Sequence, residues 1–424
     1  MVEEISTSVP LQAYTIFCNA FRYQPVSGKS SRRNGLIPWQ AHTFRDNQPN
    51  LHYNDETGVK SQNLHEDFND YFYSSFANCL LGKTDSHPEE LKQAYTLPLS
   101  QPITVGEHHL EIDYADFFLF PHGIGIVAFR IRFMEKTFDD ISFLINAVRN
   151  NRLEQQIFSN PCLPFDVTEP LLNGNKQKAF TVIEHDFTFS GKYTRDHLLF
   201  DMATCSPVGS SIGEGKIPSL RPDTSYFESL HQENRVAVFD NWSALALFDT
   251  FTVLHKGSVY NYNWETKYFR FIYVSALFAK NYLIELNKRF HDPADHSSLD
   301  EEFYKFDRDF NFDQISHNFL PQVIYDKIRH SLNLELELEK LKKAIDRDAA
   351  LKEKKRKHQE ESNERRIKNA LLVVAFLAVF SAVYDGSEWA SAVLGGNRDI
   401  YYNTFSFLFF LGVILGVIYM LKKK

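Results

Sequence analysis

At 424 residues the chain has room for one large or two modest soluble domains beside any membrane segment, and 43% apolar with 15% aromatic residues excludes disorder for most of it. A net charge of −8 excludes nucleic acid as a bulk partner, because phosphate binding needs a basic face. Cys18, Cys79, Cys162 and Cys205 stand at no paired spacing, so reduced thiols are expected rather than zinc ligands or disulfides.

The start, Met-Val-Glu-Glu-Ile, has neither the basic residues nor the apolar run of a secretory signal, which places the first few hundred residues in the cytoplasm. Residues 1–100 read as polar and turn-rich, with sparse periodicity. Around His109–Phe133 two alternating runs flank Pro121-His122-Gly123, the pattern of a β-hairpin. Phe138, Ile141, Leu144, Ile145 and Val148 recur at helical spacing and predict a helix packed on that sheet. Strand-like stretches follow at Ala179–Phe189 and Arg235–Leu254. Tyr268–Phe290 contains Lys280, Lys288 and Arg289, so a core helix is expected rather than a membrane span, ended by His291–Asp295. The fold class expected for the body is α/β or α+β.

From Gln322 to Asp385 there is neither glycine nor proline, while Pro321 and Gly386 stand at the ends. That predicts one helix of about 60 residues, ~90 Å long at 1.5 Å per residue. Leu334, Leu338, Leu341 and Ile345 form a heptad-like seam that needs partners from neighbouring helices or subunits. Residues 352–368 then carry eight Lys/Arg against four Asp/Glu. Two mostly apolar runs follow, Ile367–Tyr384, with Lys368 its one charge, and Tyr401–Leu421, each near the ~20 residues that cross a bilayer. Basic clusters lie at the outer end of each run, so both ends are expected in the cytoplasm and the loop outside.

This arrangement resembles the CorA family: an acidic α/β body, a long helix entering a first span, one short outward loop, a second span and a lysine tail. The resemblance implies a homopentameric funnel with the first span around a pore, in the cytoplasmic membrane. Its outer signature, Tyr-Gly-Met-Asn, corresponds here to Tyr384-Asp385-Gly386-Ser387, where the tyrosine alone matches, which points away from selective magnesium transport. The aromatic-rich body also resembles the CorA-like proteins encoded beside type III CRISPR systems, which implies an antiviral membrane effector gated by a nucleotide second messenger such as the SAM-AMP class. The implied division is 1–265 cytosolic domain, 266–320 helical connector, 321–366 stalk, 367–384 first span, 385–400 outward loop, 401–421 second span and 422–424 tail.

Ile367, Leu371, Val374, Ala378, Ser381 and Asp385 share one helix face that becomes small and polar outward, as a pore lining or a packed helix face would. The pore candidates are Val374, Ala378, Ser381, Tyr384, Asp385 and Glu388, the last two as an anionic mouth. Gly209–Lys216 is glycine-rich, but its spacing and Ile217 depart from a P-loop. Gly213, Gly215, Lys216, Arg221 and Trp242 are the ligand-binding candidates. Sixteen histidines form no H-E-x-x-H and there is no nucleophile elbow, so no catalysis is expected. A nucleotide or a divalent cation is the expected ligand; no covalent cofactor and no metal ligand set is assigned. The competing readings are a divalent-cation transporter and a non-conducting membrane anchor.

Overall fold

The computed structural model describes residues 2–25, 37–38, 71–81, 94–161, 163, 165–170, 176–189, 191–256, 264–290 and 299–422. The helix stop at His291–Asp295, Cys162, and Lys423 and Lys424 of the tail lie outside them. The chain divides into two compact units, Met1–Lys343 and Ala344–Lys424.

In the first unit ten strands form one sheet among the described residues. They are β1 (Gln12–Pro25), β2 (Ile37–Pro38), β3 (Ala94–Val105), β4 (His108–Phe120), β5 (Ile124–Arg132), β6 (Phe165–Pro170), β7 (Lys178–Glu184), β8 (Arg235–Val236), β9 (Trp242–Ala246) and β10 (Thr250–His255). The order is β2-β3-β4-β5-β1-β7-β10-β9-β8, with β6 beside one end of β1. All pairings are antiparallel except β7 with β10. The helices in chain order are α1 (Val2–Thr7), α2 (Ser74–Leu81), α3 (Phe138–Asn150), α4 (Glu154–Phe158), α5 (Arg195–Ala203), α6 (Thr224–Asn234), a π-helix (Trp264–Tyr273), α7 (Val274–Phe290), α8 (Leu299–Asp309), α9 (Phe319–Ser331), α10 (Leu334–Leu394) and α11 (Arg398–Lys422).

The body is therefore mixed α/β, and its central strand is one the sequence hides. β1 lies in the stretch read as polar and turn-rich. Tyr14, Ile16, Phe17, Cys18, Ala20 and Phe21 are all buried, from both faces of the strand. A strand covered on both sides loses the polar alternation that would announce it.

The hairpin is where the pattern placed it. β4 pairs with β5 from Ile112↔Ile131 to Phe120↔Ile124. The turn between them carries His122 and Gly123 at φ of 65° and 70°. Gly123 also comes within 3.1 Å of the Tyr23 carbonyl at its Cβ position, so a larger residue would be strained twice over. α3 starts on a capping box, in which Thr137 Oγ1 accepts the Asp140 N–H and Asp140 Oδ2 accepts the Thr137 N–H, both at 3.2 Å. Its five periodic apolar residues are buried in the core against Phe17, Phe129 and Ile131.

The opposite sheet face is covered by the π-helix and α7. Phe278 stacks on Phe120 with centroids 4.0 Å apart, and Phe269 meets Phe180 edge-on at 5.2 Å. The segment read as a core helix is buried, as expected, although its first part is a π-helix. Its last turns leave Lys288 and Arg289 at the surface side, with Arg289 donating to Glu302 at 2.7 Å.

The single helix expected from Gln322 is two helices. Asn333 takes a left-handed φ of 54° between α9 and α10. Its N–H reaches the His330 carbonyl at 2.9 Å, and that of Leu332 reaches Ile328 at 3.0 Å, closing α9. Asparagine tolerates this conformation better than most residues, so no glycine was needed as a signal. Arg329 fixes the junction: Nε donates to Glu335 at 2.8 Å and Nη1 to the Phe312 carbonyl at 2.8 Å. Of the partners expected for the seam, neighbouring helices or subunits, this chain already supplies cover, since Leu334, Leu338, Leu341 and Ile345 are all buried in it.

In the second unit α10 carries charged residues exposed throughout 351–366 and then an uncovered apolar run. It does not stop at Asp385 or Gly386 but continues to Leu394, so most of the 385–400 loop is helix. One interior glycine costs ~1 kcal/mol, too little to end a long helix. The stop is Gly395 at φ 67°. Asn397 Oδ1 then accepts the Asp399 N–H at 3.1 Å, capping the start of α11.

Candidate ligand cavity and membrane helix

A cavity of about 380 Å³ opens in the first unit, between the end of β9, the π-helix and the start of α9. That volume suits a small molecule. Its inner walls are Trp242, Trp264 and Tyr268, at 4%, 2% and 3% exposure, while Phe239 and Phe319 stand at 51% and 63%. Trp242 meets Trp264 edge-on, with centroids 5.0 Å apart at 78°, and Trp264 meets Tyr268 at 4.9 Å and 58°. Edge-to-face and tilted packing of this kind is a favoured aromatic geometry. Burial pushes the Tyr268 phenol well above its ordinary value, so it stays a neutral donor and acceptor.

Local structure explains the convergence. Trp242 opens β9 opposite His255 of β10, and Lys256 N–H donates to the Asn241 carbonyl at 2.7 Å, which fixes that strand end. Trp264 and Tyr268 are four residues apart on the π-helix. Asn241, Asn318 and Tyr71 add polar edges, and Lys267 places its ammonium 3.5 Å from the Tyr71 ring centroid.

The π-helix also enters a buried ion cluster. Glu265 accepts from Arg130 Nη1 at 2.7 Å and from Tyr114 Oη, and Arg270 Nε donates to Asp116 at 2.8 Å. Asp113 accepts from Arg130 and Arg132, both at 2.7 Å. Asp113, Asp116 and Glu265 thus face Arg130, Arg132 and Arg270. Burial opposes the Glu265 charge, but Arg130 and Arg270 outweigh it and hold its carboxyl below the usual range. Burial lifts Asp116, against the pull of Arg270 and of the Thr96 hydroxyl at 2.5 Å.

Of the five ligand-binding candidates, Trp242 alone lines this cavity. Gly213, Gly215, Lys216 and Arg221 are gathered in another turn, where the Arg221 side chain packs 3.2 Å from the Cβ position of Gly213. The loop there closes on an internal carboxyl. Gly209 and Ser211 N–H groups and the Tyr193 hydroxyl all donate to Asp201 at 2.8 Å. Lys216 pairs with Asp139 at 2.8 Å. Sequence reasoning missed Trp264, Tyr268 and Asn241; the Trp-x-x-x-Tyr spacing was the available signal.

Val374, Ala378, Ser381, Tyr384, Asp385 and Glu388 all lie on α10 and all are exposed. Among the described residues α10 is the one helix long and apolar enough to cross a membrane, and none of its most apolar 18-residue window is buried. No group of three or more His, Cys, Asp or Glu among the described residues is placed to hold a metal ion. Compared with protein-family models, with curated proteins and with solved structures, the chain matches none.

Proposed function

We propose that the chain is a ligand-gated, CorA-like membrane effector whose body binds a nucleotide second messenger, of the SAM-AMP class, in type III CRISPR antiviral defence. The apolar run of α10 and α11 form a two-span hairpin in the cytoplasmic membrane, with both ends on the cytoplasmic side. Copies assemble as a ring, five by the resemblance, with Val374, Ala378, Ser381, Tyr384, Asp385 and Glu388 toward its axis. Ligand binding opens a leak; no covalent chemistry is involved.

The observation that favours this reading over a plain anchor is the aromatic cavity. A tether has no use for three buried aromatic rings around 380 Å³ of space. A nucleobase fits them because every base offers a π-face, and base–aromatic stacking is worth ~1–3 kcal/mol per base. The adjacent amides of Asn241 and Asn318 suit a base edge.

Isothermal titration of the full chain in detergent with second-messenger nucleotides tests this. Saturable binding weakened about tenfold or more by Trp242→Ala is the expected result. Magnesium uptake into liposomes without any nucleotide, with no nucleotide binding, would identify the transporter instead.

A further inference from the structure

The basic stretch of α10 is not basic all the way round. Lys352, Arg356 and Lys357 are paired along the helix with Asp348, Glu360 and Glu353, at 2.6, 3.4 and 2.8 Å. Lys354, Lys355, Arg365, Arg366 and Lys368 are exposed, and none of them has a carboxylate partner among the described residues. At 3.6 residues per turn these five fall within about 160° of the helix circumference. Glu353, Glu360 and Glu364 fall within about 40° on the far side, while Glu361 lies inside the cationic arc between Lys368 and Lys354. Continued into the apolar run, the side opposite the five cations carries Leu371, Val374, Ala378 and Ser381.

We infer that this cationic face binds the phosphates of anionic lipid headgroups. Charge and position both select that partner. Arg365, Arg366 and Lys368 stand within one turn of Ile367, where the apolar run begins, so a membrane around that run brings headgroups to them. Long basic side chains reach headgroups while their stems stay on apolar surface, and guanidinium matches phosphate with two parallel hydrogen bonds. Lys354 and Lys355 lie ~20 Å further back, beyond the ~8 Å screening length of physiological salt, so the first three dominate. Cations paired along the helix are already neutralised and contribute little. The face opposite the cations is the one proposed to face the axis of a ring, which leaves the cations outward, toward lipid.

The inference rests on the membrane reading but not on nucleotide binding or leakage, so the two fail separately. The full chain in mild detergent is given phosphatidylglycerol or phosphatidylcholine, and bound lipid is counted by native mass spectrometry. The parent should retain phosphatidylglycerol preferentially, and R365Q/R366Q/K368Q should lose that preference about tenfold or more. K352Q/R356Q/K357Q removes the same formal charge from the paired positions and should keep it. No preference in the parent, or equal loss in both triple variants, overturns the assignment. So does displacement of the lipid by excess inorganic phosphate, which would make this a site for soluble anions.

Discussion

Trp264 and Glu265 are neighbours on the π-helix and serve two environments. Trp264 lines the cavity against Trp242, while Glu265 holds Arg130 in the ion cluster beneath the sheet face. A guest that moves the first ring therefore loads an element whose other contacts are ionic and buried. π-Helices are rare and recur at functional sites, in keeping with this position.

Glu265→Gln keeps the shape and removes one of three carboxylates facing three guanidiniums. Breaking a buried pair from one side costs about 3–5 kcal/mol, and urea unfolding of the variant should show a loss of that order. Because the Glu265 carboxyl is held below its usual range, its contribution is present above that range and lost as pH falls through its folded value. The variant should have a flatter acid limb than the parent. An unchanged midpoint would show that the cluster contributes nothing.

Asp201 carries the opposite sign. Burial pushes its carboxyl up to about 7 despite donation from Tyr193, Gly209 and Ser211. The folded state then binds a proton that the unfolded state has released. The contribution of this group to stability is greatest below the usual carboxylate range and falls as pH rises toward 7, by on the order of 1 kcal/mol per pH unit. Asp201→Asn removes that slope. The stability difference between parent and variant should change between the ordinary aspartate range, about pH 4, and about 7 and level off above it. Parallel curves across the whole window would contradict the assignment.

Asn333 closes α9 in a left-handed conformation. Glycine there should be neutral or stabilising by a few tenths of a kcal/mol, whereas valine should cost about 1–2 kcal/mol. Thermal melts of the two variants check this; equal melting temperatures would mean that the junction relaxes freely.

The membrane topology is open to cysteine labelling. With a membrane-impermeant maleimide on intact cells, Val393→Cys, 60% exposed near the end of α10, should be labelled from outside. The four native cysteines should remain unlabelled until the cells are opened. Labelling of position 393 from the cytoplasmic side alone would reverse the orientation.

What the sequence made legible follows its periodicities. The helix from Phe138 has one covered face, so its apolar spacing announced it; the hairpin strands are buried on both faces over most of their length, and the turn at Pro121–Gly123 announced them. β1 is likewise buried on both faces and carried no such mark. The break at Asn333 was invisible because asparagine is not read as a stop, and Gly386 was read as one although a helix tolerates it. The cavity depends on a register that brings Trp242, from one strand, to Trp264, across a connection of twenty-two positions. The ion cluster was hidden for a related reason: Arg130, Glu265 and Arg270 look like solvated charges until the sheet and the π-helix meet.

Under the proposed function a nucleotide in the aromatic cavity opens a leak through α10. Dye release from liposomes bearing the full chain, measured at matched nucleotide occupancy, reads that step itself. The pair Ala349→Gly and Ala350→Gly loosens α10 by ~1 kcal/mol per residue ahead of the basic stretch. Nucleotide should trigger release from the parent, whereas the double-glycine protein should bind nucleotide as before and release less. Release from the double-glycine protein equal to the parent's, or no release from either, would refute gating through α10.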